Sequence, residues 1–167
     1  MLWMRVVHIL AGIFWVGSMV FIAAFLLPTA RAAGADGGRF MQRLMQQRKV
    51  NVALGIAALL TVLTGLGMYG RLSAGFQRAW VTSPHGLVLA VGGLAALAAV
   101  VVGGALNGPA AARLGRLQRR FETEGGVPSP AEVTQINALS ARLQRGAVVV
   151  ALLLVVAAAA MASARYL

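Results

Sequence analysis

Residues Val6–Leu27 read VVHILAGIFWVGSMVFIAAFLL, a stretch of 22 residues with one histidine and no Asp, Glu, Lys or Arg. A transmembrane helix needs about 20 predominantly apolar residues to cross the hydrocarbon core of a bilayer. Three further stretches, at about residues 50–69, 84–106 and 146–164, are comparably long and also lack charged side chains. The sequence therefore predicts an all-α integral membrane protein, in which residues 1–167 form one domain: an antiparallel up-down four-helix bundle.

The composition of the chain supports a membrane protein. Its 167 residues are 59% hydrophobic and 11% charged, whereas soluble domains are about 45–50% apolar and about 25% charged. The formal charge of +11 could suggest a nucleic-acid binder. However, the basic residues lie between the apolar stretches, and no module remains to form a binding face, so we predict no nucleic-acid partner. The chain has no cysteine, which excludes disulfides and Cys-ligated metal centres.

The basic residues are divided unevenly between the two sides of the predicted membrane. The long segments 29–49 and 107–145 together carry eleven of them. The positive-inside rule then places both loops in the cytoplasm and both termini outside, in a multi-pass protein of the inner (plasma) membrane. The first apolar stretch exceeds the 7–15 residues of a signal-peptide core, so we expect it to be retained. The four basic residues predicted outside are Arg5, Arg71, Arg78 and Arg165.

Capping signals predict that some helices extend into the cytoplasm. Ser129, Pro130 and Glu132 match a capping box with proline at the first helical position, which should start a helix that runs into the fourth span. Residues 113–121 should prolong the third helix. The break between these two helices is expected at residues 124–128.

The first cytoplasmic loop should also contain a helix. Asp36 is a candidate cap for a helix that passes through Phe40, Leu44 and Met45 straight into the second span. Pro28 is expected to close the first span, because proline disrupts a helix interior.

Both histidines of the chain lie near the start of an odd-numbered span. His8 is in the first turns of span one, and His85 is in the first turn of span three, after Ser83 as N-cap and Pro84 at the first helical position. Since spans one and three run in the same direction, both imidazoles should lie toward the outer face. An ionisable side chain within a span is a functional candidate by default, and two at similar depth suggest a shared ligand.

The neighbours of the histidines favour a haem. On a helix, His8 shares a stripe with Gly12 and Trp15. The glycine would leave room beside the imidazole for a flat ring, and the indole could pack along the edge of that ring. His85 has Gly86 beside it. Two opposed imidazoles would suit a b-type haem with one axial ligand on each side, and the outer arginines could pair with its propionates.

Two other interpretations stay open. Histidines near span ends are often interfacial, and glycine is common in membrane helices, so the chain could be a structural subunit that packs against a larger complex through its glycine faces. Alternatively, Met4 and Met68 lie on the same side as the histidines. Thioether and imidazole ligands together favour soft ions such as Cu(I), which would make this a copper-handling membrane protein. Familiar catalytic motifs are absent from the sequence, so an enzymatic role stays open.

Residues 8–17, HILAGIFWVG, resemble the first span of a group of bacterial membrane proteins. The group includes the copper-resistance D family, the membrane protoporphyrinogen oxidases, related four-helix proteins of unassigned function, and the membrane region of some bacterial urate oxidases. In it, a first-helix histidine is followed by glycine, tryptophan and glycine at set spacings. The resemblance implies a helical bundle that holds haem b or handles copper. The residues that match this pattern are His8, Gly12, Trp15 and Gly17.

One departure from the group affects the expected activity. The protoporphyrinogen oxidases place a lysine in a later span, whereas the single lysine here, Lys49, lies at the base of span two. That difference counts against this particular activity, and His85 would have to serve as the second ligand. The leading hypothesis is therefore a b-type haem protein with His8 and His85 on the iron. It would act in electron transfer or as a membrane oxidoreductase, with a quinone or a redox protein as partner; self-association stays open.

Overall fold

The computed structural model describes residues 1–124 and 128–167, and these residues form helices and short turns without a β-strand. The first half contains α1 (Leu2–Phe21, a π-helical turn Ile22–Leu26, then Leu27–Ala32), α2 (Gly34–Gln42 with a π turn Arg43–Gln47), α3 (Val50–Leu72) and the short α4 (Arg78–Val81). The second half contains α5 (Pro84–Val101, a π turn Val102–Asn107, then Gly108–Glu124) and α6 (Pro130–Ser163, ending in a 3-10 turn Ala164–Tyr166).

Within the described residues, four helices are long and apolar enough to cross a membrane: α1, α3, α5 and α6. They contain the four apolar stretches of the sequence, so the predicted count of spans is confirmed. Each helix is longer than its apolar stretch, because helical backbone continues into the polar segment at one end or at both.

The first helix does not end at Pro28, and that expectation was wrong. The helix continues through the proline to Ala32, and the turn just before it is π-helical, with the Leu27 amide donating to the Ile22 carbonyl five residues back. Proline lacks an amide hydrogen and its ring collides with the carbonyl four residues earlier. A widened turn gives the ring room, so the chain adjusts its helix instead of terminating it.

The helix expected from Asp36 into the second span also differs from the prediction. Helix α2 starts at Gly34 with Ala33 as its N-cap, and the Asp36 side chain pairs with Arg39 inside the helix instead of capping it. The helix is then interrupted before α3, because Lys49 adopts a left-handed backbone with φ 55°. The second span is therefore a separate helix that starts at Val50.

The capping box before the fourth span is confirmed. The Ser129 hydroxyl accepts from the Glu132 amide, and the Glu132 carboxylate accepts from the Ser129 amide at 2.9 Å. The predicted extension of the third helix through residues 113–121 is present as well. Of the break expected at residues 124–128, positions 125–127 lie outside the described residues.

The four long helices surround one core. Helix α1 packs against α3 and α6, and α5 packs against α6 and α3. Among the described residues the backbones of α1 and α5 do not approach each other closely, so these two helices occupy diagonal positions. Apart from one tryptophan, the core residues are small or branched, and all four helices contribute to them: Trp15, Ala57, Ala96, Ala99, Val150, Leu154 and Ala157.

Glycine allows α5 and α6 to approach closely. A Cβ atom placed on Gly92 would lie 3.2 Å from the Ala157 carbonyl oxygen and 3.2 Å from the Ala160 Cβ. The neighbouring Gly93 has nothing within 4 Å of its Cβ position. Without a difference in hydrophobicity between helix and lipid, helix association depends on such close packing.

The same substitution should therefore destabilise the protein at Gly92 and be tolerated at Gly93. Gly92→Leu should force α5 and α6 apart, because overpacking a close contact costs about 1–3 kcal/mol. We expect the melting temperature of the detergent-purified protein to fall by about 5 °C. Gly93→Leu is the matched control and should leave it nearly unchanged. Equal effects of the two substitutions would contradict the packing assigned to Gly92.

Candidate functional site

His8 points from α1 into the interface with α3. Its Nδ1 atom lies 2.8 Å from the Thr61 carbonyl oxygen and 3.2 Å from the Thr64 Oγ1. The Thr64 hydroxyl donates its own hydrogen to the Leu60 carbonyl. Both partners of His8 are therefore acceptors, and the proton of the neutral imidazole must reside on Nδ1. The Nε2 atom then carries the free lone pair.

A glycine on α3 makes room for the His8 ring. A Cβ atom on Gly65 would lie 2.9 Å from the Cε1 atom of His8 and 3.4 Å from its Nδ1. One turn toward the start of α1, the methyl group of Met4 lies against Gly67 in the same way, 2.5 Å from an ideal Cβ. Two side chains of α1 are thus seated on two glycines of α3.

His85 makes an equivalent hydrogen bond in the second half of the chain. Its Nδ1 atom lies 2.7 Å from the carbonyl oxygen of Ala164. Ala164 terminates the α-helical part of α6, where carbonyl groups lack their usual partner within the helix. The carbonyl accepts, so Nδ1 again holds the proton and Nε2 the lone pair. Ser83 caps the start of α5 as predicted, accepting from the Gly86 amide at 3.1 Å.

Aromatic side chains surround His85. The Trp80 ring meets the imidazole edge-on at 5.9 Å between centroids, and Tyr69 meets Trp80 edge-on at 5.1 Å. The Tyr69 hydroxyl donates to the Gly86 carbonyl at 3.3 Å. Gly86 is needed for this arrangement, because a Cβ there would lie 2.2 Å from the Trp80 carbonyl oxygen.

The structure brings both histidines to the same end of the four helices, which we call the histidine end. His8 near the start of α1 contacts Thr61 of α3, and His85 at the start of α5 contacts Ala164 at the end of α6. The hydrogen bond from Tyr69 to Gly86 brings the end of α3 to the start of α5, so the two pairs of helices meet at this end. The two rings lie on diagonal helices, and the described ring contacts include none between them. Both histidines are half-buried.

The other residues predicted around a cofactor have defined places. Trp15 is 4% exposed in the central core. A Cβ atom on Gly12 would lie 3.8 Å from the Thr61 methyl group, an ordinary van der Waals distance, so the contact between α1 and α3 does not require glycine there. Arg71 is exposed in the last turn of α3, and Met68 is half-buried on the same helix.

Sequence reasoning did not find the partners of the histidines. The hydroxyls of Thr61 and Thr64 each donate to a carbonyl of their own helix. The spacing Thr61-x-x-Thr64-Gly65 was the available signal, since it places a carbonyl, a hydroxyl and a gap on one helix face. Within the described residues no group of three or more His, Cys, Asp or Glu side chains is placed to hold a metal ion.

Comparisons of the chain with models of known protein families, with curated proteins and with solved structures find no match.

The contact between Gly65 and His8 predicts an energetic coupling. Gly65→Ala should displace the imidazole from the Thr61 carbonyl and destabilise the protein by about 1–2 kcal/mol. In a His8→Ala background the same substitution should cost little, because the ring it collides with is gone. A double-mutant cycle of thermal unfolding in detergent measures this coupling. Gly55→Ala on the same helix, with open space at its Cβ, is the control. Additive effects of the two substitutions would contradict the contact.

Proposed function

We propose that this protein is a membrane b-type haem protein in which His8 and His85 supply the two axial ligands, and that it serves in electron transfer. The observation that carries the proposal is that the two imidazoles have the same hydrogen-bond pattern. Each Nδ1–H donates to a helix carbonyl, and each Nε2 keeps its lone pair. Histidines that ligate metals characteristically donate their other ring nitrogen in this way, which fixes the tautomer and raises the basicity of the ligand.

The placement of the histidines supports a shared ligand. Each lies on the first helix of a hairpin, α1–α3 or α5–α6, and donates to a carbonyl of the second helix of that hairpin. The two first helices are diagonal partners. Two histidines at one end of the bundle, on diagonal helices and with the same hydrogen-bond pattern, are what a shared ligand would require.

The residues at the histidine end indicate how a haem would be held. His8 and His85 would hold the iron, and the Thr61 and Ala164 carbonyls would fix the orientation of their rings. A haem with two imidazole ligands supplies one-electron transfer, with its potential adjusted by the ligands and their hydrogen bonds. Arg71, exposed near this end, would be available to a propionate. A membrane quinol or a redox protein is the proposed electron partner.

Purification of the full chain from cells supplied with haem precursor tests the proposal. We expect a Soret band and about one haem per chain by the pyridine-haemochrome assay. His8→Ala and His85→Ala should each abolish the bis-histidine spectrum, because each removes one axial ligand. Colourless wild-type protein that lacks haem would refute the function, and haem retention with an unchanged spectrum in both variants would refute the ligand assignment.

Thr64→Val is the matched control for the loss of His8. It removes the weaker acceptor at 3.2 Å but leaves the Thr61 carbonyl and both Nε2 atoms. The variant should therefore bind haem with the wild-type stoichiometry, while the midpoint potential shifts slightly because a hydrogen bond to the ligand is lost.

Copper handling is the second candidate, favoured by the position of Met4. Met4 and His8 lie one turn apart on α1 and both are seated against glycines of α3. A thioether beside an imidazole favours Cu(I). Under this alternative, the purified protein retains stoichiometric Cu(I) and loses it in a variant with Met4→Leu and Met68→Leu. If the protein binds haem instead, these two substitutions should leave the haem content unchanged.

We further propose an antiparallel up-down bundle in the inner membrane, with the histidine end and both termini outside and the helical extensions of α5 and α6 in the cytoplasm. The excess of basic residues in segments 29–49 and 107–145 supports this orientation. Because the chain has no cysteine, single cysteines can report it without background.

Two exposed positions test the orientation. A cysteine introduced by Gln77→Cys, before α4, should react with a membrane-impermeant maleimide in intact spheroplasts. One introduced by Ala33→Cys, between α1 and α2, should react only after the membrane is permeabilised. The opposite pattern would invert the orientation, and labelling of both in intact spheroplasts would contradict the up-down topology.

A further inference from the structure

An apolar groove runs along the junction of α1 and α6, away from both histidines. Its volume is about 220 Å³, and it is lined on one side by Val20 and Ala24 and on the other by Val148, Leu152 and Val155. These residues belong to the apolar stretches that cross the membrane, so the groove opens toward lipid. A shallow apolar groove in this position fits a hydrocarbon chain.

Two arginines lie at the end of the groove that is farther from the histidines. Arg31 of α1 reaches across the junction and donates a hydrogen bond to the Gln144 side chain of α6. Arg145 is exposed on α6, and positions 145, 148, 152 and 155 share one helix face at the i, i+3, i+7 spacing. Each guanidinium keeps further N–H donors available beyond its recorded bonds. The groove thus ends in positive charge carried by both of its walls.

The length of the groove matches one leaflet of a bilayer. From Arg145 to Val155 the helix rises about 15 Å, and the hydrocarbon of one leaflet is also about 15 Å thick. With the arginines at the level of the headgroups, the far end of the groove reaches the middle of the membrane. The arrangement therefore suits a molecule with an anionic headgroup and one long apolar chain along the groove.

We propose that this groove is a binding site for an anionic phospholipid, with the headgroup phosphate held by Arg31 and Arg145 and one acyl chain lying between α1 and α6. Guanidinium groups match phosphate in charge and hydrogen-bond geometry. Zwitterionic lipids carry a compensating cation, so they should occupy the groove more weakly. The proposal does not depend on haem binding at the opposite end.

Native mass spectrometry of the detergent-purified full chain, titrated with phosphatidylglycerol or phosphatidylcholine, tests the site. We expect phosphatidylglycerol to bind more tightly than phosphatidylcholine in the wild type. Arg31→Gln and Arg145→Gln should each weaken phosphatidylglycerol binding by about fivefold, the effect of one arginine near a lipid surface. Arg116→Gln, on the same end of the protein but away from the groove lining, is the charge-matched control and should change little.

The acyl chain is tested separately from the charge. Ala24→Leu fills the groove at an exposed position and should weaken phosphatidylglycerol binding, whereas Ala53→Leu on the exposed face of α3 should not. Melting temperatures of the variants establish that each is folded. Equal binding of the two lipids to the wild type would overturn the proposal. The proposal would also be overturned if Arg116→Gln weakened phosphatidylglycerol binding as much as the other two substitutions do. The same holds if neither Arg31→Gln nor Arg145→Gln changed binding, as expected for a neutral lipid.

Discussion

The hydrocarbon core of a bilayer offers no water to a polar group, and this constraint explains the arrangement of both halves of the protein. Backbone amides and carbonyls must be satisfied within the chain, so the spans are helices. The polar side chains on those helices follow the same rule. The Thr61 hydroxyl returns to the Ala57 carbonyl, and the imidazoles of His8 and His85 donate to carbonyls of the neighbouring helix. An imidazole that donates from Nδ1 keeps the lone pair of its second nitrogen, which can act as an acceptor.

The parts of the fold that depend on local sequence could be predicted. Apolar length identified four membrane-spanning helices, and the pattern from Ser129 to Glu132 identified the start of the last one. The predictions failed where a local rule was overridden by a neighbouring turn. Pro28 ought to end a helix, but the π turn at Ile22–Leu26 accommodates it. The left-handed backbone at Lys49, a residue type that rarely adopts it, gives no signal in the sequence at all.

The candidate site was predictable only in part, for a different physical reason. The histidines themselves stand out because ionisable groups are rare in apolar stretches. Their partners depend on which helices become neighbours, and periodicity along one helix does not contain that information. Gly12 was interpreted as space for a cofactor beside His8, yet Gly65 on the facing helix is the residue that receives the ring. A stripe of small residues identifies a helix face that something approaches closely. Whether that is a cofactor or a neighbouring helix depends on the tertiary structure.

The π turn in α1 changes the periodicity of the helix between its two ends. A π turn advances fewer degrees per residue than the 100° of an α-helix, so the residues after Leu26 face a different direction from the one that regular periodicity predicts. Before the turn, His8 contacts α3 while Val20 already packs against α6. After the turn, Arg31 still reaches α6 and bonds to Gln144. One helix therefore presents an imidazole to one neighbour near its start and a guanidinium to the other neighbour near its end.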